Sequence, residues 1–204
     1  MNVPAVAKKT FDELRQRPEY VAIIEFVLAR LLKIPNGLQR ARIIHKMVDE
    51  YNSEVFAHPL VKEYSPCKMG CTACCHTQVS VTEEEAQLLA HQVENGVVIS
   101  QDRLLKQAQA GNSDIDFLKL KYEDRKCIFL NDQGGCNVYE DRPSVCRTNA
   151  VIGSPSQCDT SQKLQPVRLI KTPKSDMVIY ASYLHTKSSG SLAFMMSKAI
   201  KTSH

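Results

Sequence analysis

The sequence predicts a mainly α single domain with a small β-hairpin, organised around a cysteine-bound metal centre. Apolar residues recur at helical spacing before the cysteines begin, and all eight cysteines fall between residues 67 and 158. The chain has 204 residues, of which 43% are hydrophobic, so it can bury a core that does not depend on cysteine. We divide it into an N-terminal helical hairpin (1–63), a cysteine-cluster metal-binding region (64–160) and a C-terminal strand and helix (161–204).

Two helices are predicted before the first cysteine. From Tyr20 to Leu32 the apolar residues recur at spacings of three and four, and Pro18 suits the first turn of that helix. The Pro35-Asn36-Gly37 stretch ends it, and a second helical pattern runs from Leu38 to Val55. Because only a short turn separates the two patterns, we expect an antiparallel helical hairpin.

The elements after the first cysteine cluster are shorter. Thr82 and Glu85 have the spacing of a capping box and predict a helix that ends at Asn95-Gly96. The turn-forming stretch 131–135 separates two short apolar runs and predicts a β-hairpin over residues 127–139. The remaining predicted elements are a helix over 100–110, a strand over 167–172 and a closing helix over 192–200.

The first cysteine cluster has the spacing Cys67-x3-Cys71-x2-Cys74, which lets three thiolates converge on one centre from a tight loop. Thiolates are soft ligands that select zinc, iron–sulfur clusters or Cu(I). Tetrahedral zinc and a four-iron cluster both take four protein ligands. The fourth ligand has to come from the other cysteines, which are Cys75, Cys127, Cys136, Cys146 and Cys158.

The eight cysteines can build two four-cysteine centres, or one centre with spare thiols. Cys74 and Cys75 are consecutive, and consecutive side chains diverge by about 100° in a helix and face opposite ways in a strand. We therefore expect Cys74 to join Cys67 and Cys71, and Cys75 to face the downstream cysteines or to remain spare. His76 is either a further ligand or a loop histidine. A disulfide framework or a set of buried thiols would be alternatives, but four cysteines in nine positions favour metal.

A second constellation covers residues 136–147 and has the pattern Cys-x2-Tyr-x2-Arg-Pro-x2-Cys-Arg. Pro143 suits the first turn of a helix, which places Cys146 close to that helix's N-terminus. The helix dipole and the flanking Arg142 and Arg147 are expected to lower the pKa of Cys146. We predict that these two arginines bind the cofactor by pairing with the negatively charged thiolates.

In order and spacing, these residues resemble the cysteine-cluster family of zinc- or iron-chelating proteins. The matching positions are Cys67, Cys71, Cys74, Cys75, Cys127, Cys136, Tyr139, Arg142, Pro143, Cys146 and Arg147. The resemblance implies that these cysteines, and Cys158 with them, ligate a metal. A larger relative is flagellin lysine N-methylase, but no methyl-donor site is visible here, and that activity is not carried over.

The three-cysteine spacing also looks like the cluster motif of radical S-adenosylmethionine enzymes. That likeness is partial, because Ala73 stands where those enzymes usually have an aromatic residue. The alternating strands of their large β/α barrel are also missing from the pattern.

We therefore predict a metal-binding protein with a cysteine-ligated iron–sulfur cluster of the 4Fe-4S type, in a redox or group-transfer role. The alternative is a zinc-binding structural or interaction module with no catalysis of its own. Without a nucleophile–His–acid pattern, a phosphate loop or a dinucleotide fingerprint, enzyme activity stays undecided. The expected partner is a redox or other protein whose identity the pattern does not give.

Charge and hydropathy bound the location. The net charge of +4 is a mild basic excess that does not favour nucleic acid as a partner. The longest apolar stretch, Val21 to Ile34, is interrupted by three charged residues and is too short to span a membrane. No secretory signal is visible at the start, so we expect a soluble cytoplasmic protein that does not enter the membrane.

Overall fold

The computed structural model describes residues 2–68, 70–161 and 168–202. Ten α-helices lie within these residues: α1 (Ala5–Leu14), α2 (Pro18–Leu32), α3 (Gly37–Phe56), α4 (Pro59–Tyr64), α5 (Glu83–Glu94), α6 (Gln101–Gln109), α7 (Asp114–Lys119), α8 (Ser144–Thr148), α9 (Pro173–His185) and α10 (Leu192–Thr202). Short 3-10 helices cover Ala73–His76, Tyr122–Arg125 and Pro155–Cys158. The prediction of a single, mainly α domain is confirmed.

Four short strands pair into two antiparallel two-stranded sheets. They are β1 (Ser80–Thr82), β2 (Val151–Ile152), β3 (Arg168–Leu169) and β4 (Ser189–Ser191). Strand β1 pairs with β4, and β2 pairs with β3. Of the predicted strand over 167–172, residues 168–169 form β3, and Val167 lies outside the described residues.

Local sequence signals explain where several helices begin. Pro18 occupies the first turn of α2, as predicted, and the Asn36 side chain accepts a hydrogen bond from the Gln39 N–H to cap α3. The capping box between Thr82 and Glu85 at the start of α5 is confirmed. Helix α10 confirms the predicted closing helix. Helix α1 was not anticipated by the sequence patterns.

The segment predicted as a β-hairpin, 127–139, forms only one isolated antiparallel bridge, between Leu130 and Cys136. The Asn131 side chain accepts hydrogen bonds from the backbone N–H groups of Gln133 and Gly135, at 3.1 and 2.8 Å. Such an Asx-type turn satisfies the backbone of the loop locally.

Helix α9 is the centre of the first hydrophobic core. Every residue from Ser175 to Tyr183 is buried, because α1, α2 and α3 all pack against this helix. Helices α2 and α3 therefore contact α9 much more than each other, and the expected pairing of the two as a hairpin is replaced by a shared contact with α9. A helix surrounded in this way has to be apolar or internally satisfied on every face.

A second hydrophobic core is formed by α5, α6 and α10 together with the segment around Ile128 and Phe129. Helix α3 connects the two cores, because it contacts both α9 and α5. Among the described residues, no helix combines the length and the apolar character needed to cross a membrane.

Candidate metal centre

A cavity of about 420 Å³ lies at the cysteine-bearing segments, with walls from both hydrophobic cores. Six of the eight cysteines line it: Cys71, Cys74, Cys75, Cys127, Cys136 and Cys146. Tyr139, Arg142 and Pro143 from the second constellation line the same cavity. Two motifs that are about 60 residues apart in the sequence thus meet at one site, as the resemblance implied.

Backbone hydrogen bonds hold the two motifs together. The Cys127 N–H donates to the Cys75 carbonyl oxygen at 2.7 Å, which joins the 3-10 helix Ala73–His76 to the downstream segment. Within the first cluster, the Cys71 N–H donates to the Lys68 carbonyl at 3.0 Å and forms a tight turn. These bonds fix the backbone that carries the thiols.

Several backbone N–H groups point at the sulfurs. The Val151 N–H donates to Cys67 Sγ at 3.4 Å. Burial raises the pKa of the Cys127 thiol to about 11, although a hydrogen bond from the Phe129 N–H lowers it. Burial likewise raises the pKa of the Cys136 thiol, and a hydrogen bond from the Val138 N–H lowers it. Donors aimed at sulfur favour the thiolate, which is the form that binds metal.

The Cys74 and Cys75 thiols contact each other, contrary to the divergence expected for consecutive side chains. A hydrogen bond from the Cys75 thiol lowers the pKa of Cys74 to about 7, and the same contact raises the pKa of Cys75. Cys74 is therefore the most acidic thiol of this pair.

Cys146 occupies the predicted place near the start of a helix, but its acidity differs from the prediction. Pro143 is the N-cap of α8, and Cys146 lies in the following turn. Burial raises the pKa of Cys146 well above its usual range, and the neighbouring thiols at Cys127, Cys74 and Cys136 raise it further. The opposing charge of Arg142 is too weak to reverse the effect. Desolvation therefore outweighs the helix dipole here.

Cys158 lies on the last 3-10 helix, which contacts Ala73–His76. Arg125 binds the backbone that follows Cys158, because its Nη2 donates to the Thr160 carbonyl at 3.0 Å. Burial raises the pKa of the Tyr122 phenol, and the nearby Asp159 carboxylate raises it further. Burial raises the pKa of Cys158, and a smaller contribution comes from the charges of Cys67, Cys74 and Cys71. The segment is thus held close to the first cluster.

The two arginines of the second constellation differ in their surroundings. The Arg142 guanidinium lies over the Tyr139 ring at 4.2 Å, and its buried Nε has no hydrogen-bond partner among the described residues. The Arg147 guanidinium is instead fully engaged: its Nη1 contacts Asp49 at 2.5 Å, and it also donates to the carbonyls of Arg142 and Glu140. Arg142 is the one that lines the cavity.

His76 is buried beside the cluster and stacks on the Tyr122 ring, with ring centroids 4.4 Å apart. Its Nδ1 lies 3.3 Å from the Thr72 carbonyl oxygen. Burial lowers the pKa of His76, which favours the neutral ring. This ring supports the 3-10 helix that carries Cys74 and Cys75.

Sequence patterns missed a buried carboxylate behind Cys146. Glu85 accepts five hydrogen bonds, from the N–H and hydroxyl groups of Thr82 and of Ser144 and from His45 Nε2. Burial would raise its pKa, but these contacts, led by His45, lower it to about 2. The capping box revealed Glu85, but its long-range partner Ser144 left no signal in the sequence. Glu85 anchors the N-terminus of α8 and so positions Cys146.

The donor set fits a thiolate-bound metal. All eight cysteines belong to the described residues and are free thiols. Six of them surround one cavity, and backbone donors and a cation face their sulfurs. In the part of the chain that the structure describes, no three His, Cys, Asp or Glu side chains already have the geometry to hold a single ion.

Comparison with known proteins identifies one family. No curated protein and no solved structure matches the chain. A family model with the description "CxxCxxCC: Putative zinc- or iron-chelating domain" matches residues 66–167. The match covers half of the chain and includes all eight cysteines, both arginines and Tyr139. The chain therefore belongs to the CxxCxxCC family of zinc- or iron-chelating domains.

Proposed function

We propose that the chain is a metal-binding protein whose cysteines hold an iron–sulfur cluster in a redox or group-transfer role. The observation that carries the proposal is the convergence of six free thiols on one cavity of about 420 Å³. Soft sulfur ligands match iron–sulfur chemistry and zinc, and they do not match calcium or magnesium, which take oxygen ligands. A bound cluster would supply reversible electron transfer.

The size of the cavity supports a cluster over a single ion. Four thiolates close around Zn²⁺ with zinc–sulfur distances of about 2.3 Å, so zinc needs no chamber of its own. The cavity at the cysteines offers about 420 Å³ instead, and its thiols come from segments that are distant in the sequence. A cluster of several iron and sulfide ions would occupy such a space while the cysteines bind it from outside.

The thiols divide into two sets of four. The outer set contains Cys67, Cys71, Cys74 and Cys158, and the inner set contains Cys75, Cys127, Cys136 and Cys146. The division is supported by the contact of the Cys158 helix with the first cluster, and by the bond between the Cys127 N–H and the Cys75 carbonyl. The cavity reaches the outer set through Cys71 and Cys74. The outer and inner sets meet where Cys74 and Cys75 interact.

The chain's own residues would prepare this site for an anionic, thiolate-rich centre. Arg142 places a cation at the cavity wall, and its charge lowers the pKa of Cys74. The N–H groups of Phe129 and Val138 oppose the effect of burial on their cysteines. Glu85 binds Ser144 at the start of α8, and Arg147 of α8 binds Asp49. These two contacts fix the helix that carries Cys146 at the cavity.

The metal and its colour test the proposal directly. Protein purified without air should be brown, absorb near ~400 nm through sulfur-to-iron charge transfer and bleach with dithionite, as clusters held by cysteine do. Iron and acid-labile sulfide should be present in equal amounts per chain. Cys127→Ser combined with Cys146→Ser should lose the iron and sulfide of the inner set, while the exposed control Ser161→Ala should keep the full content. A colourless protein with stoichiometric zinc would refute the iron–sulfur proposal and support a zinc-binding structural module instead.

The division into two sets has its own test. Cys74→Ala should remove metal from the outer set and leave the inner set largely filled. Cys75→Ala should do the reverse, or have little effect if only the outer set binds metal. Metal content per chain, measured for both variants, decides between these results. If both substitutions empty a single centre to the same degree, the division is wrong.

A further inference from the structure

The cavity at the cysteines has a part of its wall that contains no cysteine. Besides the thiol-bearing segments, the wall includes residues of α1, β3 and α9, and none of these three elements contains a cysteine. A metal held by the thiols therefore leaves this part of the wall uncovered. The cavity volume of about 420 Å³ is also within the range of small-molecule sites, which are about 300–1,000 Å³.

One face of α9 brings two polar side chains to this part of the wall. Thr172, Asp176 and Ile179 all line the cavity, and their spacing of four and three residues places them on the same side of the helix. The Asp176 N–H donates to the Thr172 carbonyl at 2.9 Å, so Thr172 lies one helical turn before Asp176. A hydroxyl and a carboxylate are thus neighbours at the cavity wall.

Both polar side chains are buried and have acceptor atoms to spare. Asp176 is 4% exposed, and Thr10 Oγ1 donates to its Oδ2 at 2.8 Å, but its Oδ1 has no hydrogen-bond partner in the described part of the chain. Thr172 is 3% exposed and is the N-cap of α9, yet its side chain makes no capping hydrogen bond. Buried polar groups in native proteins nearly always have partners, so free acceptors at a cavity wall indicate a ligand.

The charge of Asp176 is not balanced by a cation of the described residues. Burial raises the pKa of Asp176 to about 6, and only the Thr10 hydroxyl opposes the rise. At neutral pH the carboxyl is mostly ionised, and because its folded pKa lies above the ordinary value, the charged form destabilises the fold there. A carboxylate that stabilised α9 through the helix dipole would have a lowered pKa instead. A ligand therefore explains this charge better than the fold does.

Apolar side chains complete this part of the wall. Val6 of α1 and Leu169 of β3 line the cavity and are 49% and 39% exposed, so apolar surface at the cavity also faces solvent. Ile179 lines the cavity on the same face of α9 as Asp176 and is 1% exposed. Ligand pockets are typically apolar, with a small number of polar groups that fix the orientation of the ligand. This wall has that composition.

We propose that the cavity binds a small, largely apolar organic ammonium ion whose charged group is held by Asp176. An ammonium group has three N–H donors and no acceptor, so it can donate to Asp176 Oδ1 and to the Thr172 hydroxyl together. Hydrogen bonds between charged groups are about twice as strong as neutral ones. The apolar part of the ligand packs against Ile179 and Val6. The inference goes beyond the proposed metal function and is the same whether the cysteines hold iron or zinc.

The experiment uses three probes that share one ring: cyclohexylammonium, cyclohexanol and cyclohexanecarboxylate. The metal-loaded wild type, Asp176→Asn and the control Asp114→Asn are titrated with each probe by calorimetry, at neutral pH and constant ionic strength. Asp114 also lines the cavity, but it is exposed at the start of α7. Thermal unfolding of each protein without a probe is measured alongside.

The wild type and Asp114→Asn should bind cyclohexylammonium in preference to the neutral and the anionic probe. Asp176→Asn should bind cyclohexylammonium at least about tenfold more weakly, which is the loss expected for one hydrogen bond to a charged group. Without a probe, the unfolding midpoint of Asp176→Asn should equal or exceed that of the wild type. The substitution removes an unpaired buried charge, and the asparagine oxygen can still accept from Thr10.

Three outcomes would overturn the inference. The first is a wild type that does not prefer the ammonium probe, and the second is an Asp176→Asn variant that binds this probe as tightly as the wild type. The third is a lower unfolding midpoint of Asp176→Asn without a probe, which would show that the carboxylate serves the fold. None of these outcomes concerns the metal, so they leave the proposed metal centre standing. A zinc-loaded protein would in turn leave this inference standing.

Discussion

The helical frame around α9 and the cysteine segments are stabilised in different ways. The frame consists of α1, α2, α3 and α9, whose continuous helices bury an apolar core that includes Val27, Val48 and Met177 at 0% exposure. The cysteine segments 70–76 and 127–158 contain 3-10 turns, one five-residue helix, one two-residue strand and one isolated bridge.

This difference indicates which region a bound metal would stabilise most. Apolar burial stabilises the frame whether or not a metal is present. The cysteine segments depend instead on single hydrogen bonds, such as Cys127 N–H to the Cys75 carbonyl and Arg125 to Thr160. Metal binding to thiolates is coupled to the order of the loops that carry them. A metal should therefore stabilise the cysteine segments far more than the frame.

The largest effect is expected from a truncation inside the frame. Met177→Ala removes a fully buried side chain from the centre of α9 and should lower the free energy of unfolding by about 2–5 kcal/mol. Because Met177 belongs to the frame core, the loss should be the same with and without metal. Urea unfolding in both states checks this. A much larger loss in the metal-loaded state would break the distinction between the two regions.

A somewhat smaller effect is expected at Glu85, which links the regions. Glu85→Gln should lower the free energy of unfolding by about 3 kcal/mol at neutral pH. The pKa of Glu85, lowered from 4.5 to about 2, shows how strongly this site prefers the charged form. Since the folded pKa is depressed, this stability is present above pH 4.5 and is lost as the pH falls towards 2.

Acid unfolding sharpens the same prediction. The wild type should lose stability between about pH 4.5 and 2, and Glu85→Gln should show a flatter profile there. Glu94→Gln is the matched control, because Glu94 is exposed at the other end of α5 and should behave like the wild type. Identical profiles for Glu85→Gln and the wild type would contradict a structural role for the buried carboxylate.

The smallest effects compare the two arginines. Arg147→Lys loses the planar guanidinium that binds Asp49 and two backbone carbonyls. It should lower the free energy of unfolding by about 1–2 kcal/mol, both with and without metal. Arg142→Lys keeps a charge at the cavity but loses the stacking on Tyr139, so it should mainly weaken metal retention. Unfolding and metal analysis of both variants check this. Equal behaviour would mean that the guanidinium surroundings do not separate their roles.

How much the sequence predicts follows the same division. The periodicity from Tyr20 to Leu32 and the capping box at Thr82 are local signals, and both elements appear as predicted. The packing of α2 and α3 on α9 was missed, because the helix they share is more than 100 residues away in the sequence. Of the hairpin predicted over 127–139, the structure has one bridge and a turn closed by the Asn131 side chain.

The candidate site shows the same limit. Spacing alone indicated the metal-binding residue types, and the family match covers those positions. The lowered pKa expected for Cys146 was wrong, because burial between the two cores outweighs the helix terminus and the arginines. The links from Glu85 to Ser144 and from Asn52 to the Arg147 carbonyl span 59 and 95 residues, and no local pattern encodes such contacts.

Hydrogen exchange with and without metal tests the central claim most directly. Chelation should remove protection from residues 70–76 and 127–158, while α2, α3 and α9 keep theirs, because the frame has its own apolar core. Uniform loss of protection across the chain would contradict a separable frame. Unchanged protection of the cysteine segments after the metal has been removed would contradict their dependence on metal.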